Sequence, residues 1–347
     1  MISFRKVKIT KANKSNNMDY DLKFLRYTNP VVAGSRAELV MSLSPPSVGT
    51  ELVSEAIDVH AGFQGSYSWG DLPYTEHIER VKFHETPLPE VGGIEVSAGL
   101  DVPFKTLIEF DCEHFSYYAY VTPEGGRLTP EAQVIISEPV DVRAPETVTR
   151  EELNALLTQL RWLVENSALS KKVKQGLAAA VEVQIETLDK LDDPINRRVL
   201  RESLDSFSKE LESGRARRYH DAKLWARQMR FIVSRLQKLQ ATRILEKVPI
   251  DKAFRFYAGI GSYTGVDAES LVDFLEKLAT IDIRALEFHL PRKDFENWII
   301  AVLGDAELAG RLARIREKGL PGEDLRRTVL NILNERYAEL QRISSET

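Results

Sequence analysis

Two different spacings of apolar residues divide this chain. Up to about Arg143, apolar and polar residues alternate in short runs. Tyr20, Leu22 and Phe24 alternate with Asp21 and Lys23; Leu39, Met41 and Leu43 flank Val40 and Ser42; Thr106, Ile108 and Phe110 flank Leu107 and Glu109. Period two is the signature of a strand with one buried face. Pro45-Pro46, Pro87 to Pro89, Gly92-Gly93 and Gly125-Gly126 punctuate the runs as turns. Residues 19–143 therefore predict an antiparallel β-sandwich of roughly seven strands. Residues 1–18 precede it as a basic, polar arm.

Beyond Arg143-Ala144-Pro145-Glu146-Thr147 the apolar spacing becomes helical. Thr149-Arg-Glu-Glu152 is a capping box, followed by a stripe of Leu153, Leu156, Leu160 and Leu163. A second helix carries Val173, Leu177, Ala180, Leu188 and Leu191. Asp193-Pro194 opens a third, bearing Ile195, Val199, Phe207 and Leu211, which Ser213-Gly214 closes. Trp225, Met229, Ile232, Leu236 and Leu239 then recur in a 4-3-4-3 rhythm, the seam of an antiparallel helical bundle or coiled coil. Residues 149–247 form this bundle. Residues 250–342 read as a small α-helical domain: a short apolar run Phe254-Arg-Phe-Tyr257, a glycine turn, and helices near 268–279, 293–303, 305–317 and 322–342. The fold class is thus multidomain α+β with the two kinds of structure segregated.

Composition adds limits. A chain of 347 residues exceeds what one core usually fills, so two or three domains are expected. No stretch reaches the roughly 18 apolar residues of a membrane span, and the first residues lack the apolar core of a signal peptide. Cys112 is the single cysteine, which excludes an internal disulfide and a thiolate metal site. A cytoplasmic location is the expectation. The net charge of −5 is uneven: residues 1–147 hold 13 Lys+Arg against 21 Asp+Glu, a balance of −8, leaving +3 for the remainder.

Two segments carry resemblances. Phe115-Ser-Tyr-Tyr-Ala-Tyr-Val121, a Gly-Gly turn, and Ala132 to Val142 resemble the last two strands of an immunoglobulin-like or fibronectin-type sandwich, and Asn29 to Leu39 fits the same pattern. Phe256-Tyr-Ala-Gly-Ile-Gly-Ser-Tyr-Thr-Gly265, Leu286-Glu-Phe-His-Leu-Pro-Arg-Lys-Asp-Phe-Glu-Asn-Trp298 and Leu303-Gly-Asp305 resemble a small uncharacterised domain recurrent in archaeal and some bacterial proteins. That resemblance covers residues 250–342. It implies a module found beside unrelated domains and supplies no activity.

Candidate chemistry is sparse. Gly259-Ile-Gly261-Ser-Tyr-Thr-Gly265 invites a phosphate-cradling reading, but its glycine spacing fits neither the dinucleotide fingerprint nor the P-loop, and a tight turn needing positive φ accounts for it. Glu287, His289, Arg292, Asp294 and Trp298 cluster in sequence. His289 beside carboxylates suits a general base or a metal ligand. No paired-histidine spacing or serine elbow supports either role, and the alternative is helix capping, ion pairing and packing near Tyr257 and Tyr263. Trp69 and Tyr74 lie in an aromatic loop that could stack on sugars or anchor a partner. Lys223, Arg227, Arg230 and Lys238 form a basic stripe. Nucleic acid is not expected as a ligand, since no recognition motif accompanies the stripe and the chain is acidic overall. The reading is a non-catalytic adaptor or scaffold with a protein partner or self-association. Carbohydrate binding through the sandwich and an enzyme centred on Glu287, His289 and Asp294 are the alternatives. No metal or cofactor is called for.

Overall fold

A computed structural model describes residues 20–44, 56–68, 70–82, 93–109, 112–125, 135–167, 171–188, 202 and 222–345. The chain divides into two compact units, Met1–Pro145 and Glu146–Thr347. This boundary falls where the apolar spacing changes. The basic arm of residues 1–18 and the expected third helix of the bundle (apart from Glu202) lie outside the described residues.

The first unit contains β1 (Asp21–Tyr27), β2 (Val31–Val32), β3 (Arg36–Ser44), β4 (Ala56–Tyr67), β5 (Gly70–Lys82), β6 (Ile94–Asp101), β7 (Cys112–Pro123), β8 (Ile135–Val140) and β9 (Val142–Arg143). Strands β1-β3-β6 make one antiparallel sheet and β5-β4-β7-β8 another, while β2 and β9 pair in parallel. One core draws on both sheets: Leu22, Leu39, Met41 and Leu43 on one side, Ile57, Val59, Phe63 and Tyr117 on the other. These are the alternate positions the period-two pattern marks. Residues 106 and 108 depart from that pattern, and Phe110 lies outside the described residues. Phe104–Ile108 forms a single 3-10 turn instead of a strand. Pro103 supplies the reason, because its carbonyl accepts both the backbone N–H and the hydroxyl of Thr106, at 3.2 and 2.8 Å.

Strand β4 is covered on both faces. Asp58 and His60, on the face opposite the core, are buried among neighbouring strands. Asp58 accepts from Arg80 at 2.9 Å and from the Gly125 N–H at 2.8 Å. Arg80 is the main cause that holds its carboxyl below the usual range. The His60 ring stacks on Tyr120 with centroids 4.3 Å apart. Gly62 lies directly opposite Tyr118 on β7, and a Cβ there would meet the tyrosine ring at 2.1 Å. Only glycine leaves room for that ring to lie across the strand.

The second unit holds eight helices among the described residues, plus one hairpin. Its elements are α1 (Arg150–Glu165), α2 (Lys171–Leu188), α3 (Ala222–Leu245), β10 (Phe254–Tyr257), β11 (Tyr263–Ala268), α4 (Leu271–Thr280), α5 (Ile283–His289), α6 (Asp294–Trp298), α7 (Ala306–Lys318) and α8 (Gly322–Ser345). A π turn, Ile299–Leu303, follows α6. Thr149 caps α1 as expected, its hydroxyl accepting the Glu152 N–H at 3.1 Å. Glu152 itself is buried and takes Arg235 of α3 in two bonds, of 2.6 and 2.9 Å. Of the expected seam, Met229, Ile232 and Leu236 are buried.

Packing continues through the expected division near residue 248. Ala241 and Ile244 of α3 belong to the same core as Phe256, Phe274, Leu286 and Leu333. The helical spacing of α3 simply runs on, so its last turns serve the C-terminal core. Asp305 caps α7 through the Leu308 N–H at 3.0 Å and also receives Arg336 of α8 at 2.8 Å, fully buried. Region 268–303, read as two helices from the sequence, holds four helical segments, α4 to α6 and the π turn. Asp282 starts α5 by accepting the Arg284 N–H at 2.9 Å, a cap inside what reads as a loop.

Breaking the Glu152–Arg235 pair from one side strands a charge in the interior. Arg235→Ala is expected to destabilise the second unit by about 3–5 kcal/mol in urea unfolding, whereas the apolar double variant Arg235→Met with Glu152→Leu recovers most of that loss. Equal losses in the two variants would contradict the burial of this pair.

Candidate functional site

The residues that bear on function collect around the β10–β11 hairpin. In Phe254-Arg255-Phe256 the two phenylalanines point into the core and Arg255 is exposed between them, as strand alternation requires. The hairpin is antiparallel, pairing Phe254 with Ala268 and Tyr257 with Tyr263. Its turn closes through the Ala258 N–H to the Ser262 carbonyl at 2.9 Å, with Gly261 at φ 73°. That positive φ is the reason for glycine here, and the motif is a hairpin turn. Ile260 sits at its tip, 90% exposed.

Against the hairpin lie the end of α5 and the start of α6. His289 is buried, and both of its ring nitrogens are engaged. Nε2 accepts the Tyr257 backbone N–H at 2.8 Å, so the ring proton sits on Nδ1 and is donated to Asp294 Oδ2 at 2.8 Å. Burial lowers the imidazole's pKa below 6.5, and Asp294 opposes that shift without cancelling it. Asp294 Oδ2 also accepts from Arg292 Nε at 3.1 Å, and the Arg292 guanidinium lies over the Phe288 ring at 4.9 Å. The bend that brings these groups together passes through Lys293, a non-glycine residue with φ 63°. Between hairpin and helices is a cavity of about 380 Å³, walled by Phe254, Arg255, Tyr257, Gly259, Ile260, Gly261, Phe288, His289, Arg292 and Asp294.

The other sequence candidates separate. Glu287 is turned away from His289, its carboxylate accepting the Gly322 N–H at 3.0 Å where α8 begins. Trp298 is buried and donates its indole N–H to the Lys252 carbonyl at 2.8 Å. Tyr263 is half exposed and donates to Asp267 at 2.8 Å, a bond that raises its phenol pKa. Tyr74 hydrogen-bonds Tyr67, which donates to Glu109 at 3.0 Å. Its ring packs on Phe63 and Phe115, and Lys105 sits 4.9 Å over it. Trp69 and the side chain of Lys223 lie outside the described residues. Arg227 and Arg230 are exposed, but Lys238 is buried, so the basic stripe leaves the surface where α3 enters the core.

Sequence reasoning missed Arg255, Ile260 and Phe288. Arg255 was legible as the one outward position in an apolar run. Among the described residues no group of three or more His, Cys, Asp or Glu side chains could hold a metal ion, and no helix is long and apolar enough to cross a membrane.

No family model matches the chain, and no curated protein matches it. Among solved structures, pT26-6p aligns with 95% of this chain at 12% identity and a TM-score of 0.20, a likeness too slight to bear on fold or function. The chain spans 50% of the length of that structure.

The neutral imidazole makes the hairpin's attachment dependent on pH. His289 is harder to protonate folded than unfolded, so the unfolded state takes up its proton first as pH falls. Stability is full above 6.5 and declines below it until the lowered folded pKa is passed. Thermal unfolding midpoints measured from about pH 7 to about pH 5 should fall, and His289→Gln should flatten that part of the decline. A decline of the same size in the variant would assign it to other groups.

Proposed function

We propose that this chain is a non-catalytic adaptor or scaffold protein and that the cavity at the β10–β11 hairpin is its recognition site. One observation carries this reading. The His289 lone pair that a general base would use is committed to the Tyr257 N–H, and the ring's proton is committed to Asp294. Protonating Nε2 would put two hydrogens between the same two nitrogens and detach the hairpin. Glu287, the other carboxylate considered for an enzyme, serves as a helix cap. What stays accessible at the cavity is suited to binding: two guanidinium groups, aromatic faces and an exposed isoleucine.

The rest of the architecture supports a scaffold. The strand orders β1-β3-β6 and β5-β4-β7-β8 around one core fit an immunoglobulin-like sandwich of the fibronectin type, with β2 and β9 as the parallel edge pair. Helices α1 to α3 fit an antiparallel bundle. Met229, Ile232 and Leu236 are covered within the chain, so the α3 seam holds the bundle together and leaves partner binding to other surfaces. A Tyr74 platform for sugars finds no support, since one face of that ring carries Lys105.

Purification of the tagged chain from its source cells at moderate salt tests this reading. A protein partner in stoichiometric amount is expected, and it should be lost when Ile260, at the tip of the hairpin, is changed to Asp. Recovery of the chain alone, or retention of the partner by Ile260→Asp, would remove the hairpin cavity as a recognition site.

A further inference from the structure

We infer that the hairpin cavity recognises a peptide carboxylate, an Asp or Glu side chain set beside an aromatic or large aliphatic residue of a partner protein. The inference rests on the adaptor reading above and names the chemistry of what that cavity takes. Charge is the first observation. The ionic groups lining the cavity are Arg255, Arg292 and Asp294, while His289 is neutral with its proton fixed on Nδ1. Two positive charges and one negative leave a single positive charge on the wall.

The two arginines are not equivalent. Arg292 uses Nε on Asp294 and lays its plane on Phe288, which fixes its orientation. Arg255 is exposed on β10. The carboxylate directly across the hairpin, Asp267, receives the Tyr263 hydroxyl at 2.8 Å. An exposed guanidinium that no carboxylate among the described residues holds, beside one already oriented, offers a fork to a planar anion. A carboxylate brings one negative charge and neutralises the wall. A phosphate ester brings about two and would face Asp294 with its surplus.

Shape and polarity give the second observation. A volume of about 380 Å³ accommodates a few side chains, within the usual range of ligand pockets. Phe288 and Tyr257 offer aromatic walls, and Ile260 projects from the turn almost wholly exposed. An isolated acid would leave these apolar surfaces bare. An acidic residue with an apolar neighbour covers them and meets the arginines together, the arrangement of anchor and charge found at interface hot spots.

The test titrates the full chain with three blocked peptides: acetyl-Phe-Glu-amide, acetyl-Phe-Gln-amide and acetyl-phosphotyrosine-amide. Backbone amide resonances of Gly259, Ile260 and Gly261 report binding. The Glu peptide is expected to shift these signals and the Gln peptide to bind on the order of tenfold more weakly. Arg255→Ala, a surface change that leaves the His289 bonds intact, should reduce Glu-peptide binding by a similar factor with an unchanged unfolding temperature. Equal binding of the Glu and Gln peptides, or no shift with any peptide, overturns the inference. Tighter binding of the phosphotyrosine amide replaces carboxylate recognition with phosphate recognition. Mass spectrometry of the recovered peptides separates the two levels: a cleaved or altered peptide would refute the non-catalytic reading while leaving the binding site in place.

Discussion

The β10–β11 hairpin is set in place by an imidazole whose two hydrogen bonds require its neutral form. His289 links three pieces of chain that sequence separates: the hairpin through the Tyr257 N–H, the end of α5 on which it sits, and the start of α6 through Asp294. Around it, Phe254 packs against Phe274, Phe295 and Trp298 at centroid distances of 5.4, 5.2 and 5.6 Å. Those rings give the hairpin its adhesion, but ring packing alone tolerates sliding. The two imidazole bonds fix the position at which the hairpin docks, and with it the cavity that Arg255 and Arg292 share.

The same division of labour recurs elsewhere. Leucines and isoleucines supply the burial, and a few polar pairs select one arrangement from many similar ones. Glu152 with Arg235 sets how α1 meets α3, and Asp305 with Arg336 sets how α7 meets α8. Replacing such a pair by apolar residues of similar size is often neutral or stabilising, whereas removing one partner strands a buried charge. In the first unit, Asp58 with Arg80 pins β4 against β5.

How much of this was legible in the sequence depends on the range of the forces involved. Local patterns were readable: the alternation in β1 and β3, the Thr149 cap, and the division near Pro145 all depend on neighbours within a few residues. The 3-10 turn at Phe104–Ile108 is a local event too, set by the Pro103 carbonyl three residues before Thr106, and apolar alternation does not report it. Events set by distant partners were not readable. Nothing near Glu152 points to Arg235, 83 residues on. The segment from Glu287 to Trp298 is dense in polar and aromatic groups, yet the state of His289 turns on one backbone N–H from Tyr257, which no residue-type pattern marks. Arg255 was overlooked because its neighbours are apolar, although strand alternation makes it the outward side chain.

The contact of Tyr118 with Gly62 bears on how this sequence can change over time. A ring lying where a Cβ would stand makes the two positions a single unit of inheritance. A side chain arriving at 62 would meet the outer end of the Tyr118 ring, which would have to swing aside or be replaced by a smaller group. Change at one of these positions is therefore felt first at the other, across the strand pair and not along the chain.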